Sequence, residues 1–522
     1  MSVTDADTAT DRGAPWRRLS PRMLLVHPVR ELGRFVPALI GLFVAGRQIG
    51  DGQWWLGPLG VVGVIMLSVL RWATTRYRIT PEQVQLRTGL LQRKTIATPA
   101  DRVRSVDVTA SVLHRLLGLA KVDIGTGSHD TAGGLSLDSL PAAEAAALRA
   151  ELLHRSAVTS FDTPGAETLG AAPAGHTPVA TDQDTELARL DPRWVRFAPF
   201  TMSGVLGAAA ILGIGWNLFD RLGVEANEGP VRGVLDHLKR TAIWLDVLQG
   251  LVALIVLVTV LAIGGYGLSY WGFRLSRHAQ GSLHITRGLL TTRATSIEER
   301  RLRGVELAEP LLLRAVHAAR LSGITTGLKS GGGADGGSSL LLPPAPRVVV
   351  LDVAAQILRD RAPVDVSLTA HGPAARRRRF LRALLPAFVL LAAVGVAISS
   401  GASPWLVLPA MGTVAVAAML AADRYRSLGH ALCGSALVMR QGSLDRRRDV
   451  LECDGIIGWN VRQTYFQRRA GLATLIATTA AGRQQYAVTD VPLSMALSLG
   501  NRALPGLLGE FLALAPAPGP RN

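Results

Sequence analysis

Arginine is the residue whose spacing in this chain most suggests chemistry. Arg93 with Lys94, Arg102 with Arg104, Arg300 and Arg301 with Arg303, Arg446–Arg448, and Arg468 with Arg469 form short clusters. A guanidinium presents paired N–H donors in a fixed fork that fits phosphate or carboxylate oxygens. The candidate contacts to an anionic lipid headgroup or a partner are therefore Arg102, Arg104, Arg301, Arg303, Arg446, Arg447, Arg448, Arg468 and Arg469. The competing reading is a solvated strand face drawn to anionic lipid by proximity, worth roughly 1 kcal/mol per cation near the membrane surface.

Catalytic patterns fail one by one. Gly323-Ile-Thr-Thr-Gly327-Leu-Lys329-Ser330 resembles a phosphate loop, but the spacing between its glycines and the place of its lysine are wrong. Gly125-Thr-Gly127 lacks the third glycine of a dinucleotide fingerprint, and no HExxH, CxxC or GxSxG pattern occurs. The histidines are scattered, and His114 and His317 have no metal-ligand spacing. Cys433 and Cys453 are isolated and fit a reducing compartment. With no nucleophile–base constellation, the expectation is a protein that is not an enzyme and carries no cofactor or metal. Nucleic acid is not an expected partner either, because neither an aromatic stacking platform nor a groove-reading helix accompanies the charge.

The elements that must position these arginines are membrane segments and strands. The chain is basic, formally +17, and 48% hydrophobic with only 5% aromatic residues. Six apolar blocks fall in three pairs: 35–49 with 54–72, 198–219 with 242–268, and 380–399 with 404–422. Most approach the ~20 residues that cross a bilayer as a helix. Trp54, Trp55, Trp72, Trp244, Trp271 and Trp405 stand near block ends, where aromatic residues favour the interface. No cleavable leader is expected in residues 1–34. Arg17, Arg18, Arg22, Arg30 and Arg34 precede the first block, Arg71, Arg76 and Arg78 follow the second, Arg376–Arg379 precede the fifth, and Arg424 and Arg426 follow the sixth. The positive-inside rule then places both termini and the long segments in the cytoplasm. The loop at 220–241, with both acids and bases, falls outside.

The segments after each pair repeat. Gly89-Leu-Leu, Arg102-Val-Arg-Ser-Val106 and Arg115-Leu-Leu-Gly118-Leu-Ala120 recur as Gly288-Leu-Leu, Arg301-Leu-Arg-Gly-Val305 and Arg314-Ala-Val-His317-Ala-Ala319, and as Gly442-Ser-Leu, Gly455-Ile-Ile-Gly-Trp459 and Arg468-Arg-Ala-Gly471-Leu-Ala473. Gly288 and Arg314 lie 199 residues beyond Gly89 and Arg115, and Gly442 and Arg468 lie 154 beyond those, so the blocks align without gaps. Tyr77–Thr80, Val84–Arg87, Val103–Val108 and Leu135–Asp138 alternate apolar and polar as strands do. Helical patterns follow at Ala142–Leu153, Val353–Arg361 and Leu493–Leu512, the last interrupted by Pro505.

A membrane hairpin followed by a strand-rich unit with these blocks resembles the second class of bacterial pleckstrin-homology (PH) domains, and the threefold arrangement resembles multi-copy membrane proteins called the YdbT type. The resemblance covers all three units and their anchors. It implies a seven-strand β-sandwich or barrel capped by a helix, and it implies no catalytic residues. The expected fold is thus an α+β membrane protein. It comprises a tail at 1–34, hairpins at 35–72, 191–270 and 380–422, PH-like domains at 73–155, 271–361 and 423–512, linkers at 156–190 and 362–379, and a second tail at 513–522. The expected function is a non-catalytic membrane scaffold whose cytoplasmic domains bind protein segments, anionic lipid or each other, and in which homo-oligomers are allowed. The alternative is a six-helix transporter or lipid-handling protein. Most blocks lack the mid-membrane charges such a pathway uses, and Asp246 lies near a block end.

Overall fold

The computed structural model of the protein describes residues 15–23, 66, 69–70, 72–80, 83–89, 93–99, 103, 105–125, 135–149, 185–201, 209, 213, 243–278, 281–326 and 339–507. The expected spans at 35–49, 54–72 and 198–219, the loop 220–241 and the linker 156–190 fall wholly or largely outside these residues. So do Arg102 and Arg104.

Each repeat is built from two three-stranded antiparallel meanders. In the first repeat these are β2 (Arg76–Ile79), β3 (Gln83–Thr88) and β4 (Lys94–Pro99), then β5 (Ser105–Ala110), β6 (Leu119–Gly125) and β7 (Leu135–Pro141), with β1 (Arg17–Arg18) ahead of them. After β8 (Thr185–Arg189), the second repeat supplies β9 (Arg274–His278), β10 (Ser282–Arg287), β11 (Thr292–Glu298), β12 (Leu302–Pro310), β13 (Ala318–Thr325) and β14 (Leu340–Pro346). The third has β15 (Gly429–Cys433), β16 (Ala436–Gln441), β17 (Asp445–Glu452), β18 (Gly458–Arg462), β19 (Leu472–Thr478) and β20 (Gln485–Pro492).

The resemblance implied seven strands per domain; the described residues give six in each repeat. A seventh position is filled from an earlier segment of the chain. Arg17 of β1 lies opposite Tyr77, and Thr369 forms an isolated bridge to His430 at the equivalent place of the third repeat. Short helices join the fourth and fifth strands: α1 (Val112–Leu116), α3 (Leu311–Ala315) and α8 (Tyr465–Arg469). The turn after each has a left-handed residue, Gly118 at φ +67°, His317 at +55° and Gly471 at +66°. His317 therefore keeps the turn its glycine counterparts make, at a cost of roughly 1 kcal/mol. Repeat helices follow, beginning at 142, at α4 (Arg347–Leu358) and at α9 (Leu493–Ala503).

The described chain divides into two compact units, residues 1–185 with 272–299 and residues 186–271 with 300–522. In the first unit the alternation of β3 puts Val84 and Leu86 inward, against Val106, Val122, Ile124, Leu135, Leu137 and, from the helix, Ala145 and Leu148. Leu19 and Met23, from the segment expected as an N-terminal tail, enter the same core. Trp72 Nε1 donates to the Leu19 carbonyl at 3.0 Å and ties that segment to the end of the preceding helix. Each such fully buried aliphatic side chain contributes about 1.5–3 kcal/mol.

The second unit contains α2 (Ile243–Tyr270), α5 (Ala362–Asp365), and a helical hairpin of α6 (Gly372–Ser399) and α7 (Val407–Arg426). Leu385, Phe388, Val389, Val396, Leu408, Met411, Val416 and Met419 of the hairpin are exposed. Leu248–Tyr270, Gly372–Ser399 and Pro404–Arg426 are each long and apolar enough to cross a membrane. A long helix that is apolar and unburied around its circumference suits lipid. The run Arg376–Arg379, expected in a linker, is helical and lies in the first turns of α6. Leu437, Met439, Leu451, Leu475, Val488, Val491 and Leu499 form the core of the third repeat, joined by Ile324 from the second.

Candidate anion site and the seams between repeats

Within each unit, a strand from one repeat hydrogen-bonds to a strand from the next. In the first unit β5 pairs with β11, placing Val106, Asp107, Val108, Thr109 and Ala110 opposite Ser296, Thr295, Ala294, Arg293 and Thr292. In the second unit β12 pairs with β17, placing Val305, Glu306, Leu307, Ala308 and Glu309 opposite Val450, Asp449, Arg448, Arg447 and Arg446. Shifting the first five pairs by the repeat offsets of 199 and 154 residues gives the second five without remainder. Both seams thus join the fourth strand of one repeat to the third strand of the next in one register.

The second seam is heavily charged. Arg447 pairs with Glu306 at 3.1 Å and Asp445 at 2.6 Å. Arg483, on the turn between β19 and β20, donates Nη2 to both Asp449 oxygens at 2.9 Å and pairs with Glu306 at 3.3 Å. Asp449 is fully buried. That burial raises its pKa, the Glu306 charge adds to the rise, and Arg483 opposes it. Arg446 pairs with Asp423 at 3.0 Å, and Arg448 donates to the carbonyls of Pro363 and Val366 at 3.1 and 2.9 Å. Burial lowers the pKa of Arg446 and Arg448 from the ordinary guanidinium value. Neighbouring arginines add to both shifts.

A second charged cluster ties the hairpin to the third repeat. Arg378 and Arg379 both pair with Asp490, the latter at 2.8 Å, and Gln467 Nε2 donates to the same carboxylate at 2.9 Å. Asp490 is 1% exposed and sits at φ +56°. Gln467 also closes a capping box with Thr464 at the start of α8. Beside this, His371 lies 2.9 Å from the Thr489 carbonyl through Nδ1 and 3.0 Å from His430 Nδ1 through Nε2.

Between these two clusters lies a cavity of about 340 Å3, lined by Arg379, Arg424, Leu428, Gln441, Gly442, Asp445, Arg447, Arg483 and Thr489. Four elements supply its guanidiniums: α6, the last turn of α7, β17 and the β19–β20 turn. Gly442 holds the β16–β17 turn that forms one wall. It has φ +99°, and a Cβ there would stand 2.0 Å from the Asp445 carbonyl oxygen, so only glycine fits. The lining suits a multiply oxygenated anion. Among the described residues, no cluster of His, Cys, Asp and Glu is arranged to hold a metal.

Residues 30–156 and 380–502 match the Bacterial PH domain family. The two matches support repeated bacterial PH domains. No curated protein and no solved structure matches the chain. The matched segments cover the first repeat with residues ahead of it, and the third repeat with most of the α6–α7 hairpin. The middle repeat lies outside them but has the same strand order and shares both seams.

Across the three repeats the arginines expected to face a ligand are distributed unevenly. Arg447 lines the cavity, while Arg446 and Arg448 are engaged inside the fold. Arg303 packs its side chain at Gly455, near Glu452, and Arg301 holds a bond from the Thr326 amide through its carbonyl. Arg468 and Arg469 lie together on α8, where Arg469 Nη1 donates to Tyr465 Oη at 3.4 Å. Sequence reasoning missed Arg379, Arg424 and Arg483 as one group, and Asp449 and Asp490 as the buried acids holding them.

Proposed function

We propose that the protein is a non-catalytic membrane scaffold of the YdbT type. In this reading six helices form three hairpins in a bacterial plasma membrane, with both termini and three PH-like domains in the cytoplasm. The domains bind one another edge to edge, and their membrane-facing arginines meet anionic lipid or an acidic protein partner. The observation that carries the reading is the pair of seams in one register. A scaffold needs its modules held in fixed order, and a repeated strand addition does this through main-chain hydrogen bonds. Tethering also raises the effective concentration of each domain for its neighbour. The three long apolar helices and the basic residues at the foot of α6 and α7 support the membrane anchoring and its orientation.

The test is cysteine accessibility in intact cells. Single cysteines in 220–241 are expected to react with an impermeant reagent from outside. Cysteines in 77–155, 273–361 and 425–512 are expected to react only after the membrane is opened. Outside labelling of any of those three domains overturns the orientation.

A further inference from the structure

We propose that the cavity at the foot of α6 and α7 is a phosphate-binding site. Four guanidiniums line it against one carboxylate, Asp445. The acids that orient them, Glu306, Asp449 and Asp490, are not among its lining residues, so they hold the arginines without filling the space. Arg424 is exposed and, among the described residues, its guanidinium has neither a side-chain hydrogen bond nor an ion pair.

The number and spread of the donors select the ligand class. A carboxylate offers two oxygens in one plane and is satisfied by one or two arginines. A phosphate presents oxygens tetrahedrally, and forks arriving from four separate elements match that distribution. Thr489 and Gln441 add neutral polar groups, and Leu428 supplies an apolar wall. The phosphate could belong to a lipid headgroup or to a soluble ion. The position favours the lipid, because Arg379 lies just before the apolar stretch of α6 and Arg424 just after that of α7. That choice rests on reading the hairpin as a membrane span; the phosphate site itself does not.

Arg424 is the residue to change, since it supports no other side chain. The full-length protein in detergent would be melted with phosphatidylglycerol, with phosphatidylcholine and with inorganic phosphate, for wild type, Arg424→Gln, Arg424→Lys and Arg379→Lys. Without ligand, Arg424→Gln is expected to melt as wild type does. Phosphatidylglycerol is expected to raise the wild-type midpoint. Its half-saturating concentration should rise about tenfold in Arg424→Gln, with a smaller rise in the two lysine variants, because lysine restores charge but not the fork. Protection by inorganic phosphate but not by phosphatidylglycerol, with the same variant ranking, supports the phosphate site and removes its link to the bilayer. The proposal is overturned if neither ligand shifts wild type. It is also overturned if phosphatidylcholine protects equally, or if the lysine variants respond as wild type does, since those results mean general lipid contact or diffuse charge.

Discussion

The seam between the first two repeats and the seam between the last two share a register and little else. In the first, Val106, Val108, Thr109 and Ala110 meet Ser296, Ala294, Arg293 and Thr292. Beyond the ladder Arg149 ties the repeats, its Nε donating to Ser296 Oγ at 2.8 Å and its Nη2 lying 2.5 Å from His284 Nδ1, and Arg115 Nη1 donates to the Leu289 carbonyl at 2.7 Å. Burial, then the Arg149 and His278 charges, pull the His284 pKa down to about 3, so the ring stays neutral beside the guanidinium. In the second seam Glu306 alone engages two arginines, and a fully buried aspartate engages one of them again. One register with two side-chain chemistries teaches that the backbone edges set the pairing. The charges of the second seam then lock the cavity arginines in place.

The largest effect should come from breaking that lock. Asp449→Ala and Glu306→Ala each take one of two acids from the half-buried Arg483, and loss of a charged hydrogen-bond partner costs about 1.5–3 kcal/mol. Denaturant unfolding of the detergent-solubilised protein, followed by Trp459 and Trp405 fluorescence, checks this. A loss below about 1 kcal/mol would mean that the second seam is held as the first is. In the first seam, Arg149→Ala should cost about 1–2 kcal/mol, the worth of hydrogen bonds from a charged donor. An Arg149→Ala loss equal to the Asp449→Ala loss would erase the contrast between the seams.

Acid should also act on the second unit, through its imidazole pair. Burial, first, and the charges of His371 and Arg502 depress the His430 pKa to about 4, and burial also lowers that of His371. The fold therefore favours neutral rings. Their contribution is complete above the ordinary histidine value near 6.5 and is lost as pH falls through about 4. Replacing His430 with Leu is expected to flatten the stability profile between those values. A profile unchanged by the substitution would show that the imidazole pair is not its source.

The smallest effect concerns the ends of the array. Among the described residues β4 and β18 have no neighbour on their outer side. Continuing the seam register from one chain to another would set Arg462 opposite Lys94. Like charges directly opposite destabilise a strand pair, and charged residues are a common guard on exposed edges. Wild type is thus expected not to associate through these edges, while Arg462→Glu adds roughly 0.2–1 kcal/mol of attraction and a weak dimer in sedimentation. Association of wild type that Arg462→Glu leaves unchanged would remove the edges from the explanation.

Much of this architecture could be read from the chain. Alternation located β2, β3, β5 and β7 to within a few residues, and the gapless blocks gave three copies of one fold. The third hairpin matched its apolar pair, although α6 starts at Gly372 because nothing in the arginine run breaks a helix. The seams were not legible, because a period of two tells which face of a strand is inward and not which strand lies beside it. For the same reason Arg446–Arg448 looked like a solvated face, when each is turned to an acid or a carbonyl of the fold. The cavity was hidden by distance: Arg379, Arg424, Arg447 and Arg483 are spread over more than a hundred residues and meet only after the repeat has closed on its hairpin.

The central claim is that two seams of one register join the repeats, and disulfide trapping across the first tests it most directly. In a background with Cys433→Ser and Cys453→Ala, Thr109→Cys with Arg293→Cys would be oxidised in native membranes, and the chain then cut at a protease site inserted within 156–184. The account predicts that the two fragments stay joined until reduced, while Thr109→Cys with Ser296→Cys, out of register, yields separate fragments. Separate fragments from the in-register pair, or equal trapping of both pairs, would contradict it.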